Sequence, residues 1–431
     1  MKLSPGKYLE SLNVDKMRFG LQSITGLLSR LGNPQKSYPT IVIAGTNGKG
    51  STAAMTASIL HSAGYRVGLY TSPHLVDVRE RIVVDGRKIS RRDFSRTIAY
   101  VRNYVEQPVT YFEFLTAVAF LHFRNRKIDI AVLEVGLGGR LDATNVCKPL
   151  VSVITNIAYD HMTYLGDSLE SIAREKAGII KQNGVCVTAA KQKNVLRVFQ
   201  DVCRRRRAEM YCLGRDVKIR KQKDGFFTYQ GLNRKLKDLT VPLRGEHQLS
   251  NAALALAVIE RCERKGFRIE DQAICEGLAR TIWEARLEIL QKNPLLVLDG
   301  AHNPAGIDAL CRSLKKDFSY RRMIIIFGAL ADKDYRKMLG KIAPLASKIV
   351  LTQIKTKRAV PVNRLLESAD QVGCAAMVTE NVRQAIERAL AMARKGDLIC
   401  ATGSFYLAGE IKQLFPKMTF CANNRRAKYL R

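Results

Sequence analysis

The glycine-rich stretch GTNGKGST, at residues 45–52, carries the clearest chemical signature in this 431-residue sequence. It follows the apolar run Thr40–Ala44, typical of a buried strand, and precedes an alanine-rich segment of helical composition. Glycines let backbone N–H groups turn towards an anion, and the amino end of a helix adds a favourable dipole. The stretch therefore predicts a phosphate-binding loop, in which Lys49 reaches the terminal phosphates and Ser51 or Thr52 supplies a hydroxyl.

The loop departs at two positions from the common nucleotide-binding pattern, GxxxxGK followed by Ser or Thr. Ile43 stands where that pattern has its first glycine, and Gly50 follows Lys49 where the pattern has a hydroxyl residue. An ordinary glycine-rich turn therefore stays open as the alternative interpretation of these residues alone.

Composition indicates a globular protein with an excess of positive charge. Apolar residues make up 46% and charged residues 26% of the chain, as in folded domains. The net charge of +32 makes nucleic acid, anionic lipid and phosphorylated ligands candidate partners. The densest region, residues 191–238, holds 15 basic and 5 acidic residues. It fits a solvated helix face followed by a polar hairpin, because few aromatic residues lie among the basic ones.

Several classes of protein are disfavoured by the sequence. The amino-terminal residues show no apolar stretch behind their lysines, so we expect no signal peptide. No run reaches the roughly 20 apolar residues of a membrane helix. The ten cysteines form no CxxC pair, which favours reduced thiols over disulfides or a zinc site. We therefore expect a cytoplasmic protein.

Short apolar runs alternate with amphipathic segments along the chain, which predicts an α/β protein. The predicted strands are Thr40–Ala44, Arg66–Tyr70, Ile128–Val135, Leu150–Thr155, Val185–Thr188, Leu295–Leu298, Met323–Phe327, Lys348–Leu351, Ala375–Val378 and Asp397–Ala401. The predicted helices are Ser51–Ser62, Ser168–Ile180, Leu249–Arg264, Glu270–Ala279, Pro304–Lys316, Asp334–Ile342, Val382–Arg394 and Tyr406–Leu414. This length predicts two domains, which we place at residues 1–285 and 286–431.

Six segments in a fixed order make the chain resemble a known family. They are GTNGKGST at 45–52, YTSPHL at 70–75, LEVGLGGRLDATN at 133–145, DH at 160–161, REKAG at 174–178 and LDGAHNP at 298–304. Together they resemble the folate branch of the Mur-ligase superfamily, the dihydrofolate synthase/folylpolyglutamate synthase family. The resemblance implies Mur-ligase architecture: a P-loop-containing amino-terminal nucleotide-binding domain with a mostly parallel central sheet, and a smaller Rossmann-like α/β carboxy-terminal domain.

The resemblance also implies ATP-driven amide formation. A carboxylate attacks the γ-phosphate of ATP, the α-amine of L-glutamate attacks the resulting acyl phosphate, and phosphate leaves. The implied nucleotide contacts are Thr46, Asn47, Gly48, Lys49, Gly50, Ser51, Asn251, Arg286 and Asp299. The implied catalytic residues are Lys49, Lys176 and His302. Many relatives read WPGR where this chain has WEAR at 283–286, so the arginine is kept in an altered turn.

Two magnesium ions are implied by the same resemblance. Their protein ligands are Ser72, Glu134, His161 and Lys176. From the residues alone, Lys176 in SLESIAREKAGIIK is a helix-surface lysine. The family instead implies a carbamate formed on Lys176 with CO2, which converts a cation into a carboxylate-like metal ligand. That modification needs a neutral amine, which burial favours.

Substrate contacts are implied at Thr110, Tyr111, Phe112, Glu113, Leu141, Asp142 and Ala143. Aromatic rings at 111 and 112 suit a flat pterin, although core packing explains the same residues without the family. The stretch Leu141–Ala143 resembles the form found in enzymes that also accept dihydropteroate. We therefore predict a bifunctional enzyme, which makes dihydrofolate from dihydropteroate and L-glutamate and then adds γ-linked glutamates to reduced folates.

Three alternatives stay open at this point. The first is a monofunctional folylpolyglutamate synthase, and the second is another Mur-type ligase that acts on a cell-wall or storage peptide. The third is a nucleic-acid-binding ATPase, which the net charge and the phosphate loop suggest. The main prediction is a monomer that binds small-molecule substrates, with no membrane and no specific nucleic-acid partner.

Overall fold

The computed structural model describes residues 4–12 and 20–415, and these form two compact units. The first unit contains the chain up to Pro73, then Arg79–Pro242 and His247–Ile282. The second contains His74–Val78, Leu243–Glu246 and the chain from Trp283 onward. The chain passes between the units more than once. A single boundary near residue 285 assigns His74–Val78 and Leu243–Glu246 to the first unit, although they belong to the second.

The first unit is built on an eight-stranded, mostly parallel sheet. Its strands are β1 (Thr40–Ala44), β2 (Val67–Tyr70), β3 (Ile82–Val84), β4 (Arg87–Lys88), β5 (Ile130–Glu134), β6 (Val151–Ile154), β7 (Val185–Thr188) and β8 (Glu209–Cys212). Their order is β4-β3-β2-β5-β1-β6-β7-β8, and only β3 and β4 pair antiparallel to their neighbours. Residues of β1 and β5 are buried throughout because helices cover both faces of a parallel sheet.

Ten helices of the described residues belong to this unit. They are α1 (Pro5–Ser11), α2 (Gln22–Arg30), α3 (Lys49–Ser62), α4 (Arg91–Arg102), α5 (Tyr111–Asn125), α6 (Met162–Leu165), α7 (Leu169–Ala177), α8 (Lys193–Arg205), α9 (His247–Glu263) and α10 (Asp271–Ala279). Small residues let α3 be buried along most of its length. At Gly277 in α10 a Cβ would lie 2.4 Å from the Ile59 Cα, so α10 approaches α3 at backbone distance.

A separate three-stranded antiparallel sheet contains much of the dense basic region. Its strands are β9 (Lys218–Lys221), β10 (Phe227–Gln230) and β11 (Lys235–Leu239), in the order β11-β10-β9. The buried residues are Phe227 and Tyr229 of β10 and Leu236 and Leu239 of β11, whereas the exposed basic residues are Lys218, Arg220, Lys235 and Lys237. The predicted helix face and polar hairpin are therefore confirmed as α8 followed by this sheet.

Glu260 of α9 is the contact that holds the three-stranded sheet. The side chain is 1% exposed, and its carboxylate accepts hydrogen bonds from the Tyr229 hydroxyl at 3.1 Å, the Leu232 N–H at 2.8 Å and the Asn233 N–H at 3.0 Å. A buried carboxylate is stable only when such donors satisfy it.

The second unit is a six-stranded sheet with helices on both faces. Its strands are β12 (Glu288–Lys292), β13 (Leu295–Leu298), β14 (Met323–Phe327), β15 (Lys348–Thr352), β16 (Ala376–Thr379) and β17 (Leu398–Thr402). Its helices are α11 (Pro304–Asp317), α12 (Tyr335–Ile342), α13 (Val362–Gln371), α14 (Val382–Met392) and α15 (residues 405–415). The order is β12-β13-β17-β14-β15-β16, with only β12 antiparallel. Ile325 and Phe327 join one core while Ile324 and Ile326 join the other, as strand alternation requires.

The predicted fold class is confirmed: an α/β chain with mostly parallel sheets in two units. Every strand and helix named from the sequence is present, with ends that agree within three residues. No helix among the described residues is long and apolar enough to cross a membrane.

Substitution Glu260→Ala should lower the free energy of unfolding by about 2–4 kcal/mol, because three donors lose their buried acceptor. Tyr229→Phe removes only one of those donors and should cost about 1 kcal/mol. Urea unfolding followed by circular dichroism measures both values. Equal losses in the two variants would show that Glu260 does not hold the sheet.

Candidate active site

Four neighbouring parallel strands end at the same edge of the first unit's sheet. The register pairs Ile43 with Glu134, Ala44 with Ile154 and Tyr70 with Leu133. The loops that follow β1, β2, β5 and β6 therefore start close together. The carboxyl ends of parallel strands are where open α/β sheets bind ligands.

The loop after β1 can be formed only with glycine at two positions. Gly45 has φ 140°, and a Cβ there would lie 1.9 Å from the Thr155 hydroxyl oxygen. Gly48 has φ 84°, and a Cβ there would lie 2.4 Å from the Asn251 amide oxygen. The backbone is thus exposed to a ligand at the start of α3, as a phosphate cradle requires.

The segment after β6 fixes the phosphate loop. Asn156 accepts the Thr46 N–H on its carbonyl at 2.9 Å and the Asn47 N–H on its side chain at 3.0 Å. The Thr155 hydroxyl donates to the Asn47 carbonyl at 2.6 Å. Sequence reasoning did not single out Thr155 or Asn156 as site residues, although Thr155 ends a predicted strand and Asn156 follows it directly, which was a usable signal.

Two hydroxyls at the start of α3 are left for a ligand. Ser51 Oγ and Thr52 Oγ1 are buried and have no hydrogen-bond partner within residues 4–12 and 20–415. Buried hydroxyls without partners are costly, so a phosphate or its metal ion fits this cradle. The Lys49 ammonium lies at the loop, where it donates to the Thr46 carbonyl at 3.1 Å. Gly50 is buried in the first turn of α3.

Asn251 lies in the second turn of α9. It is 5% exposed, and its Nδ2 donates to Gln248 Oε1 at 2.9 Å. Its amide oxygen faces Gly48, so the structure brings the predicted nucleotide contacts Gly48 and Asn251 together.

Three of the predicted metal ligands lie on the loops of this edge. Glu134 is the last residue of β5 and is 5% exposed, and its carboxylate accepts the Ser72 N–H at 3.0 Å. His161 has φ 53°, and its N–H donates to the Asp160 carboxylate at 2.9 Å. No cluster of three or more His, Cys, Asp and Glu side chains that could hold a metal occurs in the part of the chain that the structure describes. A metal here would therefore need hydroxyl, carbamate, water or phosphate oxygens in addition.

Lys176 is buried, so the helix-surface interpretation of its residues alone is wrong. It is 5% exposed, and its Nζ donates to the Gly45 carbonyl at 2.9 Å. Helix α7 packs closely against Gly139, because this residue has no side chain. A Cβ there would lie only 3.0 Å from the carbonyl oxygens of Glu175 and Lys176. Arg140 holds the same helix through Glu175 at 2.8 Å. Lys176 thus reaches the phosphate loop.

Asp142 stabilises the loop that carries it. It accepts the Leu137 N–H at 2.9 Å, the Thr144 N–H at 3.0 Å and the Thr144 hydroxyl at 2.6 Å. Burial raises the pKa of the Asp142 carboxyl, and these hydrogen bonds oppose the rise. Ala143 is buried beside it, whereas Leu141 is partly exposed.

The segment 110–113 begins α5. The Thr110 hydroxyl accepts the Glu113 N–H at 3.2 Å and the Glu113 carboxylate accepts the Thr110 N–H at 2.8 Å, a capping box. Phe112 packs against Gly136, where a Cβ would lie 2.6 Å from the ring. The Arg81 guanidinium lies 5.5 Å from the Tyr111 ring centroid. Thr110 and Glu113 therefore serve the helix end, and the two aromatic residues form its packing surface.

The second unit brings together Arg286, Asp299 and His302. The Asp299 carboxylate, at the end of β13, accepts the Leu287 and Ala301 N–H groups, each at 2.9 Å. Burial raises the pKa of Asp299, while the Arg286 guanidinium and these hydrogen bonds oppose the rise.

Phe405 at the start of α15 joins this cluster, and sequence reasoning missed it. The Arg286 guanidinium lies 4.6 Å from the centroid of its ring, and the His302 ring centroid lies 5.1 Å from it. His302 Nδ1 lies 3.0 Å from the Gly300 carbonyl oxygen. The local sequence TGSFY carried no signal of this contact, because Arg286 and Phe405 are distant in the chain.

Comparison with protein families identifies both units. Residues 43–259 match the model of the Mur ligase middle domain, and residues 285–405 match the model described as Mur ligase, glutamate ligase domain. The fold and the phosphate loop therefore define a Mur-type ligase.

Curated relatives make the class more specific. The chain is 35% identical over 417 residues to dihydrofolate synthase/folylpolyglutamate synthase of Bacillus subtilis, covering 92% of this chain and 96% of the relative. It is 38% identical to folylpolyglutamate synthase of Lacticaseibacillus casei, covering 90% and 93%. The chain belongs to the dihydrofolate synthase/folylpolyglutamate synthase family, as its six motifs predicted.

Solved structures agree. E. coli FolC in complex with DHPP and ADP superposes with a TM-score of 0.89 at 31% identity, covering 96% of this chain and 97% of that chain. The bifunctional folylpolyglutamate synthase/dihydrofolate synthase of Yersinia pestis, complexed with AMPPNP and Mn ion, superposes with a TM-score of 0.86 at 32% identity. The match covers 95% of this chain and 96% of that chain.

Substitution Gly48→Ala should lower nucleotide affinity at least tenfold, because it adds a strained φ and a collision with Asn251. Gly64→Ala is the matched control at the other end of α3: its φ is 89°, but nothing lies within 4 Å of its Cβ position. Both variants should lose about 1 kcal/mol of stability from the positive φ, and Gly48→Ala about 1–3 kcal/mol more.

Calorimetric titration with ADP and thermal unfolding provide the two measurements. If Gly48→Ala bound ADP as tightly as Gly64→Ala, the assignment of the loop to phosphate binding would be wrong.

Proposed function

We propose that this chain is an ATP-dependent ligase that joins L-glutamate to dihydropteroate and then adds γ-linked glutamates to reduced folates. The observation that carries the proposal is a pair of buried hydroxyls, Ser51 and Thr52, that have no partner among the described residues and lie inside a glycine cradle that Lys176 reaches. The relatives support the acceptor, since the E. coli structure holds DHPP with ADP.

The residues of the first unit bind and orient the phosphates. ATP supplies the phosphoryl group that activates the acceptor carboxylate as an acyl phosphate. A bound divalent metal ion would neutralise the negative charge on the phosphate oxygens. The amino end of α3, which begins at Lys49, would meet that charge with its first backbone N–H groups, while Lys49 adds a cation and Ser51 a hydroxyl. Their positions are fixed before the ligand arrives, because Thr155 and Asn156 already hold the loop.

Lys176 acts in this proposal as a carbamate. Its side chain is 5% exposed, and the neutral amine is the form of a lysine that reacts with CO2. A carbamate on Lys176 would add oxygen donors to those of Ser72, Glu134 and His161, the residues that would hold two magnesium ions. Without it, Ser72, Glu134 and His161 supply one hydroxyl, one carboxylate and one imidazole, too few for two oxygen-preferring ions.

Three residues of the second unit also belong to the proposal. Arg286 supplies a planar cation for ATP, and Asp299 fixes the Arg286 turn through the Leu287 N–H. His302 is partly exposed, and its Nδ1 lies 3.0 Å from the Gly300 carbonyl oxygen; the proposal assigns its imidazole to contact with phosphate or glutamate.

A monofunctional folylpolyglutamate synthase is the second candidate, because the Lacticaseibacillus casei relative carries only that name at 38% identity. Leu141–Ala143 favours the bifunctional enzyme. Asp142 is buried within its own loop, which leaves backbone groups and the partly exposed Leu141 to meet the pterin. The proposal includes a cytoplasmic monomer that has no specific nucleic-acid partner.

A single assay separates the candidates: phosphate release with ATP, magnesium and L-glutamate, with dihydropteroate or tetrahydrofolate as acceptor. The bifunctional enzyme should turn over both acceptors at rates within about tenfold of each other. Turnover of tetrahydrofolate alone would show the monofunctional enzyme. ATP hydrolysis that needs DNA or RNA and neither acceptor would overturn the proposal.

Substitution Lys176→Ala should reduce the rate of ligation at least about 1,000-fold, because the loss of one group that stabilises charge in a transition state has an effect of about this size. The fold should survive. Bicarbonate should not restore activity, and a short carboxylate such as acetate should restore part of it. Arg174→Ala, an exposed position on the same helix, is the control and should keep full activity. Near-normal turnover of Lys176→Ala would remove the carbamate from the mechanism.

A further inference from the structure

The turn that carries Arg286 has a conformation that its own residues disfavour. Ala285 and Leu287 flank the arginine with φ angles of 52° and 48°. Neither is glycine, and L-residues meet steric resistance in the left-handed region. Residues persist there only when the surrounding structure fixes them, and such positions cluster at ligand sites.

Contacts within the turn and with β13 account for part of the restraint. The Ala285 carbonyl accepts the Gly300 N–H at 2.9 Å, and the Leu287 N–H donates to Asp299 at 2.9 Å. The Ala285 N–H donates to Glu288 Oε2 at 2.7 Å, so the conformation of Ala285 depends on where the Glu288 carboxylate stands.

Helix α15 provides the remaining restraint from one face. Phe405, Gly409 and Lys412 follow one another at i, i+4 and i+7, so they lie along the same side of the helix. The Phe405 ring supports the Arg286 guanidinium at 4.6 Å. At Gly409 a Cβ would lie 2.0 Å from the Leu75 carbonyl oxygen, which fixes how closely the helix approaches.

Lys412 is the charged contact of that face. Its Nζ lies 2.8 Å from Glu284 Oε1 and 2.7 Å from Glu288 Oε1, and its side chain is 16% exposed. The two carboxylates stand on either side of Arg286 in the chain. One ammonium therefore holds both ends of the turn, and through Glu288 it holds the Ala285 N–H.

We propose that α15 is the positioning element for Arg286, with Lys412 acting through Glu284 and Glu288 and with Phe405 supporting the guanidinium plane. In this chain an ionic clamp holds a turn in which many relatives have Pro and Gly. The inference rests on the proposed function, because it requires Arg286 to contact ATP. In this proposal Lys412 acts through the turn that carries Arg286, and Phe405, whose ring also lies 5.1 Å from that of His302, acts through Arg286.

Substitution Lys412→Met removes the charge and keeps most of the stem. It should raise KM for ATP about tenfold and change kcat less than about threefold, because Arg286 is still present but its binding pose is no longer fixed. Adding Ala285→Gly should return KM to within about threefold of wild type, because glycine adopts this φ without strain. A residue needed only for folding would not be rescued in KM by a change in the turn.

Three controls accompany the test. Lys341→Met removes a comparable ion pair with Asp308 in the same unit and should leave KM for ATP unchanged. Lys412→Arg should keep the wild-type value. Where Lys412→Met does not fold, the double variant Glu284→Gln with Glu288→Gln should give the same rise in KM.

The outcomes separate this inference from the proposed function. Suppose that the wild type ligates glutamate. An unchanged KM for ATP in Lys412→Met, or a raised KM that Ala285→Gly does not restore, would then overturn the proposed role of Lys412 and leave the proposed function standing. If the wild type ligates no glutamate, the proposed function fails. Calorimetric titration of the same variants with ADP then decides the clamp by itself, with about tenfold weaker binding expected for Lys412→Met.

Discussion

The contact between Lys176 and the Gly45 carbonyl is the interaction on which the first unit's site depends. A lysine can be buried only where groups satisfy it, and here the phosphate loop itself provides an acceptor. The last turn of α7 favours a cation at this position, so a carbamate there requires metal cations to offset its charge. The glycine pair 138–139 lets α7 approach closely enough for the contact. Segments that look like separate motifs in the sequence are therefore parts of one packed structure.

The same physical rule organises the second unit. Asp299 follows β13 as Glu134 ends β5, and each carboxylate accepts backbone N–H groups from a neighbouring loop. Such carboxylates order loops as well as meeting ligands. A substitution at either residue changes the shape of the site and its charge together, and activity alone does not separate the two effects.

The sequence predicted the architecture well because strands with apolar runs and helices with regular periodicity are local features. It also predicted the phosphate loop, since glycine spacing is a backbone requirement. Lys176 was misassigned from its residues alone because helix periodicity does not reveal what covers a helix. Phe405, Asn156 and Lys412 were missed for a related reason: each acts through a partner that is distant in the chain, and no short pattern encodes such a pair.

The excess positive charge acquires a different meaning from its position in the fold. The three-stranded sheet β9–β11 has two edge strands, and Lys218, Arg220, Lys235 and Lys237 lie exposed along them. Edge strands offer unpaired backbone groups to any other strand, and lysines placed there discourage such pairing through repulsion and solvation. These cations thus protect the molecule against edge-to-edge aggregation, a benefit that requires no anionic partner at all.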